Sequence, residues 1–252
     1  MSGLQLERSG NVLRVTIDEP PVNALSRSLI EALAGVAEQV ENDPSISVLH
    51  IRSVGRAFCA GANLDEMRVG FSGEEGLEKQ LEFVRRLQQV FDRIERLDAV
   101  SVAEVGGHAL GGGLELALAC DLRIGAIEAR IGLPEVELGL VPGAGGTQRL
   151  VRLCGPVIAR RLILGAETLD GRAAEQLGLL HWAVPKAELS ERAQALVDRL
   201  AALPRAALAE AKTCIGFALQ PGSEGFEHEL VSTRRLMTDD ETKRRVAAFL
   251  AR

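Results

Sequence analysis

Residues 106–121 read GGHALGGGLELALACD. Three consecutive glycines, Gly111, Gly112 and Gly113, run straight into an apolar helical pattern that holds one carboxylate, Glu115. Glycines ahead of a helix let a ligand come close to the main chain. The first turn of the helix then offers N–H groups that have no intrahelical acceptor. The helical neighbours of Glu115 at i−4, i−3, i+3 and i+4 are Gly111, Gly112, Leu118 and Ala119, none of them polar. That environment points to a buried or cleft carboxylate rather than a solvated one. The chemistry such a pattern allows is an oxygen held by backbone amides beside a working acid or base.

Two further stretches bear on it. Residues 58–64, FCAGANL, form a second small-residue loop able to present amides. Two convergent amides would make an oxyanion hole, and one such donor is worth roughly 2.7–4 kcal/mol in the transition state. Small residues that merely pack tightly give the same pattern, and residue physics leaves both readings open. Glu135 and Glu137 flank Val136 just ahead of a second glycine-rich turn, residues 142–147. In an extended segment both would point the same way, so local physics does not choose between them. Asp121 reads as the partner of an arginine, and His108 as a packing or hydrogen-bonding residue. Common glycine signatures are missing: there is no G-x-G-x-x-G, no Gly-Lys pair for a phosphate loop and no G-x-S-x-G elbow.

The elements that must position these residues follow from periodicity. Residues 11–18 alternate as a strand with one wet face. Ser26 caps a helix that runs to about Asn42, with Leu29, Leu33, Val36 and Val40 as its apolar stripe. Residues 48–53 and 100–105 are strands. Between them, a charged helix over 74–96 turns Leu77, Leu81, Val84, Leu87 and Phe91 inward. A helix follows the triple glycine, then a strand over 121–127. Helices broken at Gly155-Pro156 and Gly165 run to about Leu179, and a short strand spans 181–184. The rest is helical, with breaks at Pro204 and residues 220–222. Strands and helices alternate early and helices dominate late, which defines an α/β core with a helical C-terminal extension.

Composition narrows the class. The 252-residue chain is 46% hydrophobic and 25% charged, enough for a sizeable core. A net charge of −6 argues against nucleic acid or an anionic membrane as partner. Its four cysteines, Cys59, Cys120, Cys154 and Cys214, form no C-x-x-C, and the four histidines form no H-x-x-x-H, so a structural metal is not expected. Scattered cysteines suit a reducing, cytoplasmic setting. The N-terminal residues carry no signal-type apolar run, and no segment reads as a membrane span.

Taken together, these stretches resemble the enoyl-CoA hydratase/isomerase (crotonase) superfamily. Residues 58–67 resemble the family's first oxyanion and CoA-binding loop, and residues 106–121 its second. Residues 133–150, LPEVELGLVPGAGGTQRL, resemble a third family block, and residues 21–25, PVNAL, the segment lining the CoA channel. The resemblance implies a right-handed spiral of ββα units over 1–195 and a helical trimerisation region over 196–252. It implies hydration of a trans-2-enoyl-CoA, with CoA entering as part of the substrate and no separate cofactor. By the same resemblance the amides of Ala60 and Gly112 form the oxyanion hole, and Glu115 and Glu135 are the catalytic pair. Ala24, Ala62, Asn63 and Leu64 lie along the CoA moiety. The assembly it implies is a homotrimer or a dimer of trimers. Asn63 stands where the family often has Asp, and residues 234–252 match more loosely. Alternatives within the family are an enoyl-CoA isomerase and a hydratase of branched or cyclic acyl-CoAs. The alternative of another class is a non-catalytic RNA-binding homologue.

Overall fold

In the computed structural model, residues 3–219 and 222–251 are described. Among them the strands are β1 (Leu4–Ser9), β2 (Val12–Ile17), β3 (Val48–Ser53), β4 (Ala57–Cys59), β5 (Val100–Val105), β6 (His108–Leu110), β7 (Leu122–Ala126), β8 (Ile131–Gly132) and β9 (Trp182–Val184). The helices are α1 (Arg27–Asn42), α2 (Leu64–Met67), α3 (Glu74–Arg96), α4 (Gly112–Leu118), α5 (Gly146–Leu164), α6 (Gly171–Gln176), α7 (Lys186–Ala201), α8 (Arg205–Phe217), α9 (Gly225–Thr238) and α10 (Asp240–Leu250).

Two sheets share the strands. The larger has the order β1-β2-β3-β5-β7-β9, with β1 antiparallel to β2 and the other pairings parallel. The smaller is parallel, in the order β4-β6-β8. The chain places β3, β5 and β7 in the large sheet, and each time puts the next strand in the small one. Helices carry it back after each pair, and this repetition is the expected spiral of ββα units. Strand β5 is buried at all six positions, as a parallel strand covered on both faces must be.

Local chemistry explains the helix that begins the first crossover. Ser26 caps α1 by accepting the Leu29 amide at 3.2 Å, and Leu29, Leu33, Val36 and Val40 are all buried. Helix α3 departs from the simple stripe. Leu77 and Leu81 are exposed, and the buried side chains are Phe83, Leu87, Val90, Phe91 and Ile94. From Phe83 onward α3 lies on the core.

The wet face expected on β2 is covered. Thr16 is buried, and Arg14 is half-buried, bonded to Gln194 of α7. Next to it His50 Nε2 lies 2.9 Å from Glu104 Oε2, a polar pair buried across β3 and β5. Strand β1 was not anticipated; its residues after Leu4 are exposed, so no core pattern marks it.

The expected boundary at 195/196 falls inside α7. That helix is continuous and buries Leu189, Ala193, Leu196, Val197 and Leu200 in the core. The change comes after it. Helices α8, α9 and α10 bury only Ser232 among the described residues. Lys212 of α8 ties them to the core by donating to Asp121 Oδ2 at 2.7 Å. The same oxygen accepts the amide and the hydroxyl of Ser101, each at 2.8 Å. Asp121 is therefore paired with a lysine, not the expected arginine.

Candidate active site

The triple glycine sits where three backbones meet. A Cβ on Gly113 would lie 1.9 Å from the carbonyl oxygen of Cys59, so only glycine allows α4 to start against β4. Gly111 has φ 53°, a left-handed conformation that also favours glycine. A Cβ on Gly111 would fall 3.0 Å from Glu135 Oε1. One on Gly112 would fall 3.8 Å from Glu115 Oε2 and 3.8 Å from the Ala62 amide nitrogen. Both carboxyls and one loop amide thus border the same two-residue step.

Two amides face that step. Gly112 is the first residue of α4, so its N–H has no intrahelical acceptor. On the opposite loop, residues 25 and 62 form a parallel bridge. Leu25 donates to the Gly61 carbonyl at 2.8 Å and accepts from the Asn63 amide at 3.1 Å. This pattern uses the groups on either side of Ala62 and turns the Ala62 amide away from Leu25. The expectation for Ala60 is corrected here. Its amide donates to the Val22 carbonyl at 3.1 Å and is already used within the fold. The loop amide that borders the same step as Gly112 is that of Ala62, which the family resemblance places along the CoA.

Ala24 is half-buried beside Leu25. Asn63 Oδ1 accepts the Glu66 amide at 3.3 Å, capping the short α2, a task an aspartate would do equally well. The side chain of Leu64 lies outside the described residues.

Glu115 is 3% exposed. Its Oε1 accepts two amides, from Ala144 at 2.8 Å and from Gly146 at 2.7 Å. Burial pushes its pKa up to about 7; the Gly146 amide opposes this, and the nearby Glu135 charge adds to it. Glu135 opens a 3-10 turn over Glu135–Leu138. The turn, absent from an extended reading, separates the two glutamates: Glu135 is half-buried and Glu137 exposed. Burial raises the pKa of Glu135 also. Its Oε2 is buried with no hydrogen-bond partner among the described residues.

Three parts of this site escaped residue-level reasoning. Asn23, at φ 55° and buried, donates to the carbonyls of Val54 and Ala57, each at 2.8 Å, and accepts the Glu19 amide. It shapes the loop that delivers Leu25 to Ala62. The amides of Ala144 and Gly146 come from the second glycine-rich turn, whose composition was the available signal. His108 accepts the Arg130 amide at 3.2 Å, a hydrogen-bonding role as expected. Among the described residues no group of three His, Cys, Asp or Glu side chains is placed to hold a metal, and no helix is long and apolar enough to cross a membrane.

A ββα spiral with amides and carboxyls gathered at the start of one core helix defines a crotonase-fold protein. The enoyl-CoA hydratase/isomerase family profile matches residues 7–252. A Bacillus subtilis protein named probable enoyl-CoA hydratase is 41% identical over 202 residues, 80% of this chain and 77% of that one. The 2,3-dehydroadipyl-CoA hydratase of Escherichia coli is 36% identical over 256 residues, 99% of this chain and 96% of that one. A crystal structure of enoyl-CoA hydratase from Bacillus anthracis superposes with a TM-score of 0.92 at 30% identity, covering 99% of this chain and 96% of that one. The chain belongs to the enoyl-CoA hydratase/isomerase family and is an enzyme of the crotonase type, for which an acyl-CoA is the fitting substrate class.

Proposed function

We propose that this enzyme adds water across the double bond of a trans-2-enoyl-CoA to give a 3-hydroxyacyl-CoA. The observation that carries the reading is the placement of Glu115 and Glu135 at the Gly111–Gly112 step, where the Ala62 and Gly112 amides also face. A conjugated thioester accepts a nucleophile at Cβ, and the charge that develops collects on its carbonyl oxygen. The two amides would bind that oxygen, aided by the positive end of α4.

The carboxyls divide the remaining work. Glu115 Oε1 is occupied by two amide donors, which support an ionised group and leave Oε2 for substrate. Glu115 takes a proton from water as the oxygen bonds to Cβ. Among the described residues no donor reaches Glu135 Oε2, so that oxygen has no hydrogen bond to support a charge. Glu135 therefore gives its proton to Cα as the enolate collapses. A proton passed from Glu115 to Glu135 through solvent resets the pair. In the proposal Ala24, Asn63 and Leu64 follow the CoA moiety.

The test is separate Glu115→Gln and Glu135→Gln replacement, with loss of the conjugated-thioester absorbance of crotonyl-CoA as the readout. Each replacement is expected to lower kcat by about 10²-fold or more. A rate near that of the unmodified enzyme in either variant overturns the two-carboxylate mechanism. An isomerase requires one carboxylate as proton shuttle, so activity retained by one variant on a 3-enoyl-CoA would redirect the reading to isomerisation. Assembly is part of the proposal. Helices α8 to α10 expose Ile215, Phe226, Leu230, Met237 and Phe249. An apolar face of this kind suits a homotrimer or a dimer of trimers, and light scattering of the purified protein reads its mass. The thiols of Cys59 and Cys120 are free and buried, which suits the proposed cytoplasmic setting.

A further inference from the structure

Behind the turn that holds Glu115 lies a second buried charge. Arg149, on α5, is 6% exposed. Its Nε and Nη2 each lie 2.8 Å from Glu95 Oε2, on α3. Its Nη1 donates to the Ala144 carbonyl at 3.0 Å. Ala144 is one of the two residues whose amides bind Glu115 Oε1. A Cβ on Gly145, which has φ 104°, would fall 2.2 Å from Arg149 Nη1, so the guanidinium fills the space under the turn. A hydrogen-bonded path therefore runs from Glu95 through Arg149 and Ala144 to Glu115. The hydration chemistry uses neither Glu95 nor Arg149 directly.

We infer that Arg149, held by Glu95, is the positioning residue for Glu115, pinning the 143–146 turn so that both of its amides meet one carboxylate oxygen. This rests on Glu115 being the base. The guanidinium also acts through its charge. The groups whose charges bear on Glu115 are Glu135, which disfavours its ionised form, and Arg149, which favours it. Glu95 neutralises part of the Arg149 charge and is itself shared with Arg152 at 3.8 Å.

Arg149→Met, Arg149→Lys and Glu95→Gln in the full chain test the inference, with Glu115→Gln beside them. The readouts are kcat and KM for crotonyl-CoA across pH. Arg149→Met is expected to lower kcat about tenfold with KM little changed, because orientation is lost and substrate contacts are not. Loss of the cation should also move the acid limb of the profile up by about half a unit. Arg149→Lys keeps the charge without the fork, so the limb stays while kcat falls. Glu95→Gln should lower kcat by a smaller factor.

A folded Arg149→Met enzyme with unchanged kcat and an unmoved limb overturns the inference. If that variant fails to fold, unchanged kcat in both Arg149→Lys and Glu95→Gln overturns it equally. An inactive Glu115→Gln beside an unaffected Arg149→Met removes this inference alone. Full turnover by Glu115→Gln removes the base reading and this inference with it.

Discussion

The Gly146 amide donates to Glu115 Oε1 across 2.7 Å, linking the first residue of α5 to the buried carboxylate of α4. No side chain fits at that contact. A Cβ on Gly146 would lie 2.9 Å from the same oxygen and 3.0 Å from Leu133 Cδ1. Gly146→Ala is expected to displace the carboxylate, lowering kcat by about tenfold and stability by about 1–3 kcal/mol. Steady-state kinetics and a thermal melt on the same preparation check both effects.

Gly112→Ala probes the space between the amides. Its Cβ would meet Leu25 Cδ1 at 2.7 Å, the far end of a flexible side chain, and would stand 3.8 Å from the Ala62 nitrogen. Leu25 can yield, but a thioester oxygen competing for that space cannot bind both amides. The expected fall in kcat/KM is about 10²-fold. Adding Leu25→Ala should relieve the packing without restoring turnover. Recovery of the rate in the double variant would show that the defect was packing alone.

Glu115 links activity to stability through pH. Its folded-state pKa, about 7, stands above the ordinary carboxyl range. The folded state therefore holds this proton more tightly than the unfolded chain does. The resulting stabilisation is fully present below the ordinary carboxyl pKa and is lost as pH rises through about 7. Glu115→Gln, which keeps an oxygen for the two amides and cannot ionise, should stabilise the protein by about 3 kcal/mol at pH 8 and by little at pH 4. Denaturant titrations at the two pH values measure this. In the unmodified enzyme the acid limb of kcat/KM should fall near pH 7, where Glu115 acquires its proton.

Lys212→Met tests the tie between α8 and the core. It leaves Asp121 with its Ser101 bonds and without its ion-pair partner. The expected loss is about 1–3 kcal/mol, read as a lower denaturant midpoint. An unchanged midpoint would mean that Lys212 adds nothing to the hold that apolar packing and Arg205, which donates to the Ile46 carbonyl at 3.1 Å, already give α8.

Much of this protein is determined locally. Apolar spacing and the Ser26 cap suffice for α1, and continuous apolar runs suffice for β3 and β5, because a residue's neighbours in sequence are there its neighbours in the element. The lone Glu115 among apolar residues was legible for the same reason: its helical surroundings are four residues away at most. Family resemblance selected Glu135 over Glu137 where local pattern did not. The structure separates them through a 3-10 turn that an extended reading misses.

Other features exist only in three dimensions. Ala60 and Ala62 are alike in type and two residues apart, and what distinguishes them is their partners. Val22 takes the Ala60 amide, while the Leu25 bridge turns the Ala62 amide the other way. Arg14 and Thr16 alternate as a wet face should, yet Arg14 bonds Gln194 of α7, 180 residues on, and Thr16 is buried and accepts a hydrogen bond from Arg52. Arg149 reads as one more helical arginine until α3 brings Glu95 to it. The sequence by itself determined the periodic elements such as α1, β3 and β5 and the burial of Glu115, since those depend on short-range periodicity. Tertiary packing decided which amides stay free and what stands behind Glu115, because a hydrogen-bonding group's availability depends on whichever distant backbone reaches it first.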